Sequence, residues 1–288
     1  MNSSRGVNKF ISVIVKKTTP YSKVEKWILD LIEEYHIDFD KIFYQKKGIN
    51  NSETDSGESF VIQSILPQIF DSTDPVIFDV GAHEGLFTNQ LAKFVKFQKL
   101  YAFEPNPVTF EILKNNTEKI DDLMVINAGL GNCKSTKTIY TYKENQTAGH
   151  ATFYKEILTE LHKKNIIDSF QVTVTTVDDF CSERGINYID FIKIDTEGHE
   201  FAILEGAKKF IREDRIKAIQ FEFNEMNVIS RVFLKDFYEI LSGFHIFRIN
   251  TNKLQYLPDY SPRNEIFQFQ NFLAVHKSVD IHQFYKPS

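Results

Sequence analysis

The chain has 288 residues, 42% of them hydrophobic and 25% charged, with only 12 glycines and 8 prolines. That usage excludes collagen-like, low-complexity and disordered chains, and the length allows one large core or two small ones. Lys and Arg number 34 against 39 Asp and Glu, a formal net charge of −5 that offers nucleic acid no bulk attraction.

Two cysteines, Cys133 and Cys181, lack metal-ligand spacing and cannot build a disulfide framework, so a reducing compartment is expected. The apolar run 10–15 is closed by Lys16 and Lys17, far short of the roughly 20 residues a membrane span needs. No small-residue cleavage site follows it, and the expected location is cytoplasmic. Val24, Trp27, Ile28, Leu31, Ile32 and Tyr35 recur at helical spacing and predict an amphipathic helix within 21–45. Residues 47–59 are polar and read as a loop, and 60–70 predict a helix bent or ended near Pro67. A boundary near Asp71 then separates an N-terminal helical extension, 1–70, from a domain over 71–288.

Beyond that boundary short apolar runs alternate with amphipathic segments. Strands are expected at 76–80, 99–103, 124–127, 191–194, 218–223, 244–249 and 272–275, and helices at 86–94, 109–119 and 200–212. This alternation predicts an α/β fold, a mostly parallel sheet with helices on both faces. The last two strands have no helix between them, so an antiparallel hairpin is expected at one edge. Residues 133–171 break the alternation with a strand at 138–142, a polar loop at 143–152 and a short helix. They read as an insertion and a candidate lid.

The first strand runs into Asp79, Gly81, Ala82, His83 and Gly85, and a helix follows at once. Glycines at such a turn let the backbone approach a ligand and leave helix N–H groups free to meet it. The next strand ends in Glu104, Pro105 and Asn106, about 20 residues on, where an acid accepts hydrogen bonds from ribose hydroxyls. The two features together point to an adenosine-containing cofactor. A dinucleotide turn is spaced G-x-G-x-x-G, whereas here Asp79 stands where a pyrophosphate would be repelled. An acid there suits the ammonium group of S-adenosylmethionine, directly or through water; alternatively, Asp79 only ties down the turn.

The strand at 191–194 ends in Asp195, Glu197, His199 and Glu200, which should face the glycine turn where strand order reverses. Acids at a helix start also cap free N–H groups, and for Glu197 and Glu200 both readings stay open. Glu222 lies inside an apolar strand, so it needs partners: a cation, a substrate group or Lys193.

Four blocks resemble the FkbM-type S-adenosylmethionine-dependent methyltransferases: VIFDVGAHEGLFT (76–88), YAFEPNP (101–107), VTTVDDF (174–180) and DFIKIDTEGHEFAILEGA (190–207). A fifth, QNFLAVH (270–276), lies near the end. The resemblance implies a Rossmann-like, seven-stranded sheet with an antiparallel last strand, and O-methylation of sugars or natural products. It implies that Asp79, Gly81, Ala82, His83 and Gly85 form the methionine-end loop and that Glu104, with Pro105 and Asn106, meets the ribose. Asn127 and the residues up to Gly131 would form the adenine edge, with Asp195 bordering cofactor and acceptor.

An alcohol nucleophile must lose its proton, for which His199 is a base with an ordinary pKa of about 6.5. Alternatively Asp195 with Glu222 holds Mg²⁺ or Mn²⁺, oxygen ligands favouring these over zinc. The expected partner is a glycan or small-molecule acceptor, not nucleic acid. Two other classes stand beside this reading: a non-catalytic cofactor-binding module on the same fold, and an NAD-dependent oxidoreductase, against which the glycine spacing argues.

Overall fold

The computed structural model describes residues 27, 44, 48–49, 56–70, 74–143, 149, 151–163 and 167–285. Two compact units divide after Lys46. In the first, Trp27 and Tyr44 are helical; the rest of the helix expected within 21–45 lies outside the described residues.

The second unit is built on an eight-stranded sheet in the order β10-β9-β11-β8-β7-β1-β2-β3. Five parallel strands form its middle and one flank: β1 (Val76–Val80), β2 (Lys99–Phe103), β3 (Leu123–Ile126), β7 (Ile189–Ile194) and β8 (Ile216–Phe223). Their near-continuous apolar runs follow from burial on both faces. β11 (Gln270–His276) enters antiparallel between β8 and β9 (Phe244–Asn250). The expected edge hairpin is instead β9 with β10 (Lys253–Tyr256), a short strand that periodicity did not disclose.

A second sheet joins β4 (Gly129–Leu130), β6 (Ile167–Thr175) and β5 (Ser135–Tyr142). The insertion is thus a β5–β6 hairpin interrupted by a helical turn at Ile157–Leu161.

On one sheet face Phe78, Ile192 and Ile219 pack against Phe180 of α3 (Val177–Arg184) and Ile203 of α4 (Glu200–Glu205). Phe180 meets the Phe103 ring edge-on at 4.9 Å. On the other face Ile77, Phe191 and Ala218 meet Leu91 of α1 (Leu86–Phe94) and the helical segment 58–69. That segment is a single run with a π stretch at Val61–Ile65, where Pro67 withholds its N–H. Its Val61, Ile62, Ile65 and Leu66 are wholly buried on the sheet, so packing joins it to the main unit rather than to an extension ending at residue 70.

Two further boundaries differ from expectation. α2 runs Pro107–Asn116, started by Asn106, whose side chain accepts from Val108 N. The helix expected over 200–212 divides into α4 and α5 (Lys208–Arg212), because Gly206 passes so close to Gly131 that a Cβ would lie 2.0 Å from its carbonyl. Cys133 and Cys181 are both free. No helix among the described residues is long and apolar enough to cross a membrane.

Candidate active site

Strand order reverses between β1 and β7, and a cleft of about 560 Å³, open to solvent, lies at their carboxyl ends. Gly81 sets how closely the two strands approach. Its φ is 83°, and a Cβ there would lie 1.8 Å from the Asp195 carbonyl oxygen. The turn is tied internally: Gly81 N and Ala82 N both donate to Phe103 O, at 3.0 and 2.9 Å. These two turn amides are therefore spent within the protein. His83, at φ 49°, lines the cleft and gives its amide to Glu104 Oε2 at 3.0 Å.

Glu104 also lines the cleft, its Oε1 accepting from Asn106 N at 2.8 Å. Burial pushes its carboxyl up to about 7, against the opposing pull of those two amides. Asn127 donates to Glu104 O at 2.9 Å and to Pro105 O at 3.2 Å, fixing the chain that carries the acid. Pro105 is on the cleft wall; Asn106 is buried and spends its side chain on the α2 cap. The adjoining wall is apolar, made of Phe103, Ala128, Leu130, Ile139 and Phe153.

Asp79 is not on the cleft surface. It is wholly buried, accepts from Thr88 Oγ1 at 2.6 Å, and has its carboxyl raised by burial. It thereby joins the end of β1 to α1. Ala82 packs against Ala102 and Leu113, and Gly85, at φ 87°, caps α1.

At the end of β7, Asp195 keeps 41% of its side-chain surface toward the cleft, with Lys193 Nζ 2.9 Å from Oδ2. Burial alone would raise its carboxyl, but the ammonium outweighs it and the net direction is downward. Glu222 hydrogen-bonds Asp195 and is pushed well up, by burial first and then by the Asp195 charge. The positive charge expected here from Mg²⁺ or Mn²⁺ is thus already supplied by Lys193. Among the described residues no group of three or more His, Cys, Asp or Glu could hold a metal ion.

Glu197 lines the cleft with φ 56°, a left-handed conformation that surrounding contacts must enforce. Glu200, the first residue of α4, ties the preceding turn: its Oε1 accepts from Thr196 N and Oγ1 and from Gly198 N at 2.8–3.2 Å. His199 lies beneath the wall, 2% exposed, with Phe153 edge-on at 4.8 Å and Tyr154 Oη 3.1 Å from Nδ1. Burial pushes its imidazole down to about 3, which leaves it neutral and without access to the cleft. Such a group is poorly placed to be the base.

From the insertion Gly149, Ala151, Thr152 and Phe153 line the cleft, latched by Thr152 Oγ1 donating to Glu197 O at 2.9 Å. Of the polar loop expected to act as a lid, residues 144–148 and 150 lie outside the described residues. Sequence reasoning named Lys193 as a partner for Glu222 but not for Asp195, and it placed Thr152 and Phe153 in the insertion without singling out Phe153 as wall.

This arrangement suits an adenosine-type ligand: an acid held by two amides beside an apolar wall, and a second acid across the switch point. The sequence matches the methyltransferase FkbM domain over residues 79–246. It is 22% identical over 174 residues to the 2-O-methyltransferase NoeI of Sinorhizobium fredii, covering 58% of this chain and 72% of that protein. It is 26% identical over 151 residues to the hexuronic acid methyltransferase AglP of Haloferax volcanii, covering 52% of this chain and 56% of that protein. The chain thus spans little more than half the length of the second relative. A crystal structure of methyltransferase FkbM from Methylobacillus flagellatus KT aligns with TM-score 0.45 and 18% identity, over 71% of this chain and 44% of that one. With more than half of its length matched, the chain belongs to the FkbM methyltransferase family.

Proposed function

We propose that the protein is an S-adenosylmethionine-dependent O-methyltransferase acting on a hydroxyl of a sugar, polysaccharide or natural product. The observation that carries this reading is Glu104, oriented by His83 N and Asn106 N at the tip of β2 in a cleft with an apolar wall. A carboxylate held in this way keeps lone pairs for a pair of vicinal hydroxyls, as on a ribose. The two relatives, a 2-O-methyltransferase and a hexuronic acid methyltransferase, favour a sugar acceptor.

When bound, S-adenosylmethionine supplies a methyl group made electrophilic by its sulfonium. Glu104 would hold the ribose, and Phe103, Ala128, Leu130 and Ile139 would flank the base. Asp195 would accept a hydrogen bond from the acceptor hydroxyl and aim its oxygen lone pair at the methyl carbon; as the O–C bond forms and the S–C bond breaks, the hydroxyl proton would pass along that hydrogen bond to solvent. Phe153 and the latched strand around Thr152 exclude water from the reacting groups. The insertion 133–171 is the candidate lid that completes this exclusion.

Calorimetry tests the cofactor assignment. S-adenosylhomocysteine should bind and NAD should not, and Glu104→Ala should weaken binding by about 1.5–3 kcal/mol. Undiminished binding by a folded Glu104→Ala protein would sink the assignment. Mass spectrometry of a panel of glycosides incubated with the donor separates an enzyme, which adds methyl groups, from a module that only binds.

A further inference from the structure

Lys193 is the unexplained charge beneath the cleft floor. It projects from β7 with 5% of its surface exposed, on the face that carries Ile77, Phe191 and Ala218. Burying an ammonium is costly unless it is paired and hydrogen-bonded. Asp195 Oδ2 lies 2.9 Å from Nζ on the cleft side, and Glu58 Oε1 lies 3.8 Å from it. Asp79 is its register partner on β1, and the Phe87 ring of α1 stands 4.9 Å away.

Glu58 is itself held in place. Gln220, the register partner of Lys193 on β8, donates to Glu58 Oε1 at 3.0 Å. Gly57, at φ 82°, lets the segment run against β9, where a Cβ would meet Asn250 O at 2.4 Å. Glu58 precedes the matched family domain, which begins at residue 79. Burial raises both Glu58 and Asp79, while Asp195 alone of these three acids is pulled down. The other titratable groups toward Asp195 include Glu222 of β8, Glu200 of α4 and His83 of the turn.

We propose that Lys193, braced from behind by Glu58, is a positioning residue that turns a negatively charged Asp195 into the cleft, and that this charge makes the cleft favour a positively charged methyl donor over its neutral product. The proposal rests on the S-adenosylmethionine reading above. Transfer removes one positive charge from the cofactor, so a fixed anion nearby holds the donor more tightly than the product. Screened as in water, two unit charges about 4 Å apart attract by about 1 kcal/mol, so the difference is about fivefold.

The test is calorimetric affinity of the full chain for S-adenosylmethionine and S-adenosylhomocysteine, without acceptor, in wild type, Asp195→Asn, Lys193→Met and the double variant. The preference for donor should fall about fivefold in each single variant, and no further in the double variant. A purely structural role weakens both ligands alike and leaves the ratio unmoved. If Lys193→Met does not fold, Asp195→Asn against the double variant, which lacks both buried charges, carries the comparison. An unchanged ratio in Asp195→Asn, or a further fall in the double variant, overturns the proposal. Failure of wild type to bind either ligand overturns the cofactor reading instead.

Discussion

The tips of β2 and β7 each bring one acid to the same cleft, and their surroundings shift the two acids in opposite directions. Glu104 is held by two peptide amides, and burial still pushes its carboxyl up to about 7. Asp195 is held by a full charge, and the Lys193 ammonium at 2.9 Å pulls its carboxyl below the ordinary range despite the burial. Peptide dipoles partly offset desolvation, whereas a nearby cation overrides it. The first acid is suited to binding hydroxyls and the second to acting as a fixed anion. Residue type alone would have assigned them the same work.

The largest expected effect breaks the Asp195 side of this comparison. Asp195→Asn should lower methyl transfer by about 1000-fold while product affinity stays within a few-fold, measured by labelled-methyl incorporation and calorimetry. Retained turnover would mean that Asp195 does not handle the acceptor.

Gly81→Ala strikes what brings the two tips together, since its Cβ would overlap the Asp195 carbonyl at 1.8 Å. It should cost about 3 kcal/mol or more in urea unfolding, and a stability equal to wild type would contradict the close approach of β1 and β7.

His199 sharpens the contrast as a titratable group at the β7 tip kept away from the chemistry. Its folded pKa is depressed to about 3 from 6.5. The stability it contributes is therefore present above pH 6.5 and lost as pH falls through that window toward 3. His199→Gln should leave turnover within a few-fold and flatten the loss of stability between pH 6.5 and 4 by about 3 kcal/mol. A large fall in turnover without loss of stability would restore the base role.

The smallest effect concerns the latch over the β7 tip. Thr152→Val removes the bond to Glu197 O and should cost about 1 kcal/mol and speed proteolysis within 143–155. Product and acceptor together should slow that cleavage in the wild type; a rate that responds to neither the substitution nor the ligands would show that the loop does not close over the cleft.

The amino-acid sequence by itself determined the central strands and the residues at their ends. Val76–Val80 and Lys99–Phe103 form strands with the bounds that their apolar runs predict, and Gly81, Glu104 and Asp195 converge on one cleft. These signals are local, because a strand buried on both faces is an unbroken apolar run and the residue after it is the one at the cleft. Tertiary structure alone decided what each acid is for. Nothing near Lys193 in the chain points to Glu58, 135 residues earlier, and no spacing shows that Phe153 covers His199 or that Gly206 must pass Gly131. Those contacts join segments far apart in sequence, and the protonation of a buried group follows from its neighbours in space.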